Sequence, residues 1–221
     1  DRAKTFDVVA TYKPETIFHA AAYKHVDIVE KNSLSGFEVN FFGTKNMADA
    51  AAESGADVFL LVSSDKAVRP TNVMGATKRL AELYIKRLAC GDKGTKFVSV
   101  RFGNVLGSSG SVVPVFKTQI EKNGPVTVTH PDIERYFMTI SEAANLVVQA
   151  GVIGDSGDLL LLDMGDPVKI TVLARQMIQL AGRTVKDKDN PNGEIEIIYT
   201  GLRPGEKMYE ELLIDGRALR T

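Results

Sequence analysis

The feature that most constrains this chain is a set of short, unbroken apolar runs separated by helix-length segments. Asp57-Val58-Phe59-Leu60-Leu61-Val62-Ser63-Ser64 is the clearest. Thr16-Ile17-Phe18-His19-Ala20-Ala21-Ala22 and Lys96-Phe97-Val98-Ser99-Val100-Arg101-Phe102 are the others in the first half. A strand with one wet face alternates apolar and polar residues, whereas a strand covered on both faces stays apolar throughout. Between the runs, Leu34 to Ser54 and Val73 to Ala89 carry helical spacing, and Gly55 stops the first. Residues 1–12 form a further short helix, with Phe6, Val9 and Ala10 on one side. This order predicts an α/β fold, a doubly wound parallel sheet with helices on either face.

From about residue 103 the texture changes. Gly107-Ser108-Ser109-Gly110-Ser111 reads as a loop, Val112 to Lys122 as a helix and Val126-Thr127-Val128 as a short strand. Ser141 is placed to cap a helix running to about Val152, with Glu142 in its first turn. Asp158 to Leu162 and Ile195 to Tyr199 read as strands, and Ile170 to Ala181 as a helix ended by Gly182. The expected organisation is a sheet domain over 1–105 and a second part over 106–221, with 141–182 returning to the sheet.

Charge narrows the function classes. Lys plus Arg is 27 against 28 Asp plus Glu, a net of −1. That balance excludes the broad basic field used to hold nucleic acid. No apolar run reaches the ~18 residues of a membrane span. The single cysteine, Cys90, excludes an internal disulfide and a Cys-rich zinc site, and is expected to fill space near a helix end. Three scattered histidines without clustered carboxylates make no metal site, and His19 is expected to be a satisfied strand histidine. The chain starts Asp1-Arg2-Ala3-Lys4 without Met, so it is expected to be a fragment.

In open α/β sheets ligands gather where strands end. Ser63-Ser64-Asp65-Lys66 puts a carboxyl and an amine side by side at such an end. The two can serve as general acid and general base, or be an ordinary surface pair in a loop. Met74 and Lys78 are four apart and share a helix face, where the plain reading is a gap-filling methionine and a solvated lysine.

Several blocks then fall into one pattern. They are His19-Ala20-Ala21-Ala22-Tyr23-Lys24-His25-Val26, Ser64-Asp65-Lys66-Ala67-Val68-Arg69-Pro70-Thr71-Asn72-Val73-Met74-Gly75-Ala76-Thr77-Lys78, Arg101-Phe102-Gly103-Asn104-Val105 and Leu202-Arg203-Pro204-Gly205-Glu206-Lys207. Together they resemble the nucleotide-sugar 4,6-dehydratases of the polysaccharide-biosynthesis type, within the extended short-chain dehydrogenase/reductase superfamily. Met74 stands where most of that superfamily has tyrosine, and in this it is similar to long, membrane-anchored members acting on UDP-N-acetylglucosamine.

The resemblance implies a Rossmann-like fold with its first strands absent, NAD as cofactor, and conversion of a UDP-N-acetylhexosamine to its 4-keto-6-deoxy form. It implies that Lys66 removes the C5 proton, Asp65 protonates the leaving C6 hydroxyl, and Ser64 bonds the C4 oxygen. Met74 cannot transfer a proton. Ala20, Ala21, Ala22, Asn40, Ser63, Lys78 and Phe102 are implied at the cofactor. Lys24, His25, Asn104, Arg135, Arg203 and Glu206 are implied at the UDP-sugar. A homo-oligomer is implied too, cytoplasmic or on the cytoplasmic face of a membrane through an upstream anchor. The glycine-rich dinucleotide turn is missing from the sequence, so the segment alone is expected to leave the Thr16 strand uncovered and to bind NAD poorly.

Two other functions stay open on sequence. A nucleotide-sugar 4-epimerase shares the cofactor but has no use for an acid and base at C5 and C6. A noncatalytic sugar-nucleotide-binding fragment would explain the missing glycine turn.

Overall fold

The computed structural model describes residues 1–91 and 94–213. The described residues divide into two compact units, one within 1–102, 144–163 and 211–213, the other of 103–143 and 164–210.

The first unit opens with α1 (Arg2–Tyr12), capped by the Asp1 carboxylate on the Lys4 N–H. Then come β1 (Thr16–His19), α2 (Val26–Lys31) and α3 (Ser33–Phe37). A π-turn (Glu38–Phe42) runs into α4 (Gly43–Ser54), and β2 (Val58–Val62) follows. A 3-10 turn (Asp65–Ala67) precedes α5 (Val73–Ala89) and β3 (Lys96–Arg101). The second unit begins with β4 (Asn104–Val105), α6 (Val112–Glu121), β5 (Val126–Val128), β6 (Glu134–Arg135) and β7 (Phe137–Met138). The chain then runs through α7 (Ile140–Ile153) and β8 (Leu159–Leu161), followed by β9 (Val168–Lys169), α8 (Ile170–Leu180), β10 (Val185–Lys186) and β11 (Ile195–Tyr199).

The main sheet has the order β1-β2-β3-β8, all parallel. The continuous apolar strands are explained by what covers them. Phe59, Leu61 and Phe97 pack on Ala48 and Ala51 of α4 and on Ala81, Ile85 and Leu88 of α5. Leu60, Val98, Val100 and Leu160 point the other way, onto Val147 and Ala150 of α7. With both faces covered, this is the Rossmann-like sheet expected from the apolar runs. Alanines on α4 let that helix approach closely, and burying each phenylalanine is worth about 2–3 kcal/mol.

In the second unit α6 and α8 pack Phe116, Ile120, Ala174 and Ile178 against Val126, Val128 and Ile195. Its strands form the parallel set β10-β11-β5 and two short pairs, β4 with β7 and β6 with β9.

The structure corrects several expectations. The segment rejoining the sheet is 144–163 rather than 141–182, because α8 buries its apolar face in the second unit's core. The Thr16 strand stops at His19, and Ala20 to Ala22 leave it as irregular backbone. The helix read over 34–54 begins with α3 and passes through the π-turn before α4. Thr139, and not Ser141, caps α7: Glu142 N–H donates to Thr139 Oγ1 at 3.2 Å while Thr139 N–H donates back to Glu142 Oε2 at 2.8 Å. That reciprocal box satisfies two helix-end donors at once. Cys90 is exposed at the end of α5 and fills no core space.

Candidate active site

Parallel registry brings the carboxyl ends of β1, β2 and β3 to one edge of the sheet, with His19 level with Leu61 and Val62 level with Val100. Beyond that edge lie Ala20 to Ala22, Ser63 to Lys66 and Phe102. Two backbone bonds carry the order past the strands: Ser63 N–H donates to Val100 O at 2.8 Å and Asp65 N–H to Phe102 O at 3.1 Å. Phe102 therefore holds the catalytic candidates through its carbonyl.

The Asp65 carboxyl is fully buried. Its Oδ1 accepts from Ser64 Oγ at 2.8 Å, Lys66 N–H at 2.8 Å and Lys66 Nζ at 2.9 Å. Its Oδ2 is buried with no hydrogen-bond partner among the described residues. An unsatisfied buried oxygen costs about 1–3 kcal/mol, and such exceptions concentrate where a site receives something else. Of the two readings of Asp65-Lys66, the exposed surface pair is excluded.

Behind this turn, α5 locks the end of β2. Lys78 Nζ donates to Val62 O at 2.9 Å and is 6% exposed. Burial lowers its pKa to about 8, with Glu82 opposing that shift. The ammonium makes this one hydrogen bond among the described residues, so two of its donors remain for a ligand. Ser63 turns inward, its hydroxyl donating to Glu82 Oε1 at 2.6 Å. Glu82 is gripped by Arg101 through Nε at 2.7 Å and Nη2 at 2.6 Å, with Arg79 adding a bond at 3.0 Å. Ser63 thus serves the strand end through its side chain. Nothing in the spacing of residues 63, 79, 82 and 101 announced this buried network.

Asn40 is likewise enclosed and fully bonded. Its Oδ1 accepts from Tyr23 N–H at 2.7 Å, and its Nδ2 donates to Tyr23 O at 3.0 Å and to Thr77 Oγ1 at 3.1 Å. The expectation of cofactor contact becomes one of positioning: Asn40 ties the loop after β1 to the helix bearing Met74 and Lys78. The π-turn places it there, a deviation that recurs at functional sites. That loop exposes Ala20 and Ala21 and lines a cleft of about 600 Å³ with Ala22, Lys24 and His25.

The first turn of α5 carries the buried Met74. Asn72 Oδ1 accepts from Gly75 N–H at 2.8 Å, and Glu30 of α2 accepts from Val73 N–H at 2.9 Å. Asn72 thus caps the helix, a role the sequence reading did not assign to it. Glu30 escaped that reading too, because it lies 43 residues upstream.

In the second unit, Arg135 is buried and directs its guanidinium inside the protein. It donates to Glu134 O at 2.7 Å, Met208 O at 3.1 Å, Lys207 O at 2.8 Å and Glu206 Oε1 at 3.2 Å. Glu206 also takes Thr129 Oγ1 at 3.2 Å and Arg203 N–H at 3.1 Å. These two candidates order the 203–208 segment, which the expectation of ligand contact had not foreseen. Arg203 is exposed, and Asn104 is half-buried in β4.

The family described as polysaccharide biosynthesis protein matches the chain over residues 1–221. The chain belongs to that family. It is 55% identical over 213 residues to the probable polysaccharide biosynthesis protein EpsC of Bacillus subtilis (strain 168), covering 96% of this chain. It is 51% identical to the capsular polysaccharide biosynthesis protein CapD of Staphylococcus aureus, again over 96% of this chain. It spans about a third (34%) of the length of each. Among solved structures, Pen from Bacillus thuringiensis superposes with a TM-score of 0.85 at 37% identity, covering 97% of this chain and 64% of that one. The UDP-glucose 4-epimerase of Thermus thermophilus, solved with NAD, shares the fold: TM-score 0.83, 20% identity, 96% of this chain and 73% of that one. Among the described residues no helix is long and apolar enough to cross a membrane.

Proposed function

We propose that this family member is the catalytic portion of an NAD-dependent nucleotide-sugar 4,6-dehydratase acting on a UDP-N-acetylhexosamine, with UDP-N-acetylglucosamine the foremost substrate. The first unit is the later part of the dinucleotide-binding domain, and the second takes the nucleotide-sugar. One observation carries the reading: an amine and a carboxyl 2.9 Å apart at the end of a central strand, with the second carboxyl oxygen buried and without a hydrogen-bond partner among the described residues.

NAD fits the residues present. Lys78 keeps donors for ribose hydroxyls, and Ala20 and Ala21 keep side chains small at the end of β1. When bound, NAD would supply the acceptor for the hydride leaving C4 and the donor of that hydride to C6, so that C4 is left as the ketone and the cofactor is regenerated. The chain's own groups do the rest. Elimination needs Lys66 as a neutral amine and Asp65 as a neutral acid. Passing one proton from Lys66 Nζ to Asp65 across the 2.9 Å contact creates both states together. Lys66 then takes the C5 proton and Asp65 gives its proton to the C6 hydroxyl oxygen, which leaves as water. After elimination the pair is ammonium and carboxylate; Lys66 then returns its proton to C5 as C6 is reduced, and the proton released by the C4 hydroxyl on oxidation restores the Lys66 ammonium. Ser64, half-buried beside them, hydrogen-bonds the C4 oxygen. Lys24 and His25 border the sugar, and Arg203 and Asn104 are the second unit's candidates for the diphosphate.

The test uses the full-length protein with UDP-N-acetylglucosamine and NAD. The expected product is lighter by one water in mass spectrometry, and Lys66→Ala abolishes it. A product of unchanged mass makes the enzyme an epimerase. Binding without turnover by the full-length protein makes it a noncatalytic module.

A further inference from the structure

Gly75 is the third residue of α5, after Val73 and Met74. A Cβ built there would fall under 3.0 Å from the backbone carbonyl oxygen of Lys66, at 3.0 Å from its carbonyl carbon and at 3.2 Å from Pro70 Cβ. Real Cβ atoms do not approach backbone so closely, and a backbone carbonyl cannot swing aside as a flexible side-chain end can. The φ of Gly75 is not in the left-handed region, so this glycine is required for space and not for conformation. The helix turn itself is held from outside by Asn72 on Gly75 N–H and Glu30 on Val73 N–H. The turn is therefore a fixed wall, and the Lys66 backbone rests against it.

We infer that Gly75 is a positioning residue for the elimination step: its missing side chain lets α5 seat Lys66 so that Nζ meets both Asp65 and the sugar. The inference rests on the proposed dehydratase reading. It assigns to Gly75 and the first turn of α5 the alignment of the base. A methyl group at 75 pushes the Lys66 carbonyl away and carries Nζ off its 2.9 Å contact. Small displacements of a reacting group cost orders of magnitude in rate.

The test compares Gly75→Ala with Gly36→Ala in the full-length protein. A Cβ at Gly36 would crowd Val29 Cγ1 at 2.5 Å, a steric clash with a side chain in place of the Lys66 backbone. It lies in α3, apart from the Asp65-Lys66 turn. For Gly75→Ala we expect kcat to fall by about 10²-fold or more with KM within about threefold. We also expect a larger deuterium isotope effect with substrate labelled at C5, because proton removal becomes slower. Gly36→Ala should lower the melting temperature and leave the isotope effect unchanged. If Gly75→Ala does not fold, Asn72→Ala loosens the same turn by removing its cap, and should give a milder fall in kcat with the same rise in isotope effect. An unchanged isotope effect in the folded variants overturns the inference. If the unaltered protein yields no dehydrated product, it is the dehydratase reading that fails.

Discussion

The side-chain amide of Asn40 closes a two-way bridge on the backbone of Tyr23, accepting its N–H at 2.7 Å and donating to its carbonyl at 3.0 Å. A strand pair makes the same exchange between two backbones. Here one side chain does it, and its second amide hydrogen reaches Thr77 on α5. Asn40→Ala takes this partner from the Tyr23 N–H and carbonyl and should cost about 1–3 kcal/mol in urea unfolding. Asn40→Asp keeps the acceptor but sets a buried carboxylate oxygen against the Tyr23 carbonyl, and should cost at least as much.

Asp65→Asn preserves shape and removes the transferable proton. It should reduce turnover by about 10²–10⁴-fold while substrate affinity stays near normal, measured by kcat against the dissociation constant. Equal turnover in Asp65→Asn would remove Asp65 as the acid.

Lys78 has its pKa lowered to about 8 by burial. Its positive form is favoured less in the fold than in the unfolded chain, so this group's contribution to stability is complete above pH 10.5 and is lost as pH falls through 8. The loss is about 3 kcal/mol. Lys78→Met should therefore be more stable than the parent near pH 7, with the gap closing by about pH 10, as read from melting curves. NAD affinity should run the opposite way and weaken as pH rises through 8, because the neutral amine offers less to ribose oxygens.

His19 sits stacked on Phe59 with its Nε2 3.0 Å from Thr44 Oγ1. Burial, and then the charge of Lys78, lower its pKa to about 4. The unfolded chain takes up a proton near pH 6.5 and the fold does not. Stability from this group is whole above 6.5 and disappears as pH falls to about 4. His19→Gln should flatten the acid limb of a stability–pH curve between those values.

Glu82 joins Ser63, Arg79 and Arg101 in the buried layer under the site. Glu82→Ala strands the Arg101 guanidinium and should cost about 3–5 kcal/mol. Ser63→Ala removes one hydroxyl bond and should cost about 1 kcal/mol, measured by the same denaturant titration.

The sheet was readable because its signal is local and strong. Phe59-Leu60-Leu61 has no polar member, and only cover on two faces explains that. The Asp65-Lys66 pair was visible for the same reason, since its two members are neighbours in sequence. What escaped was assembled across distance. Glu30 reaches a helix 43 residues later, and Arg101 reaches Glu82 from another element. Composition does not say which charges will be enclosed, so Arg135 read as a ligand-binding guanidinium although the 206–208 segment occupies it. Short strands such as β6 and β9 carry too few residues to show a period. The π-turn at 38–42 left no mark on a helical pattern that tolerates an extra residue per turn.

The packing of β2 has a further meaning for how such a protein can change. Every side chain from Phe59 to Leu61 is enclosed by a neighbour above or below, so the shaft of the strand admits little variation. Past Val62 the tip is held instead by separate bonds, Ser63 to Glu82 and the Asp65 N–H to the Phe102 carbonyl. New chemistry can be tried at the tip, one residue at a time, while the shaft beneath it goes on folding as before.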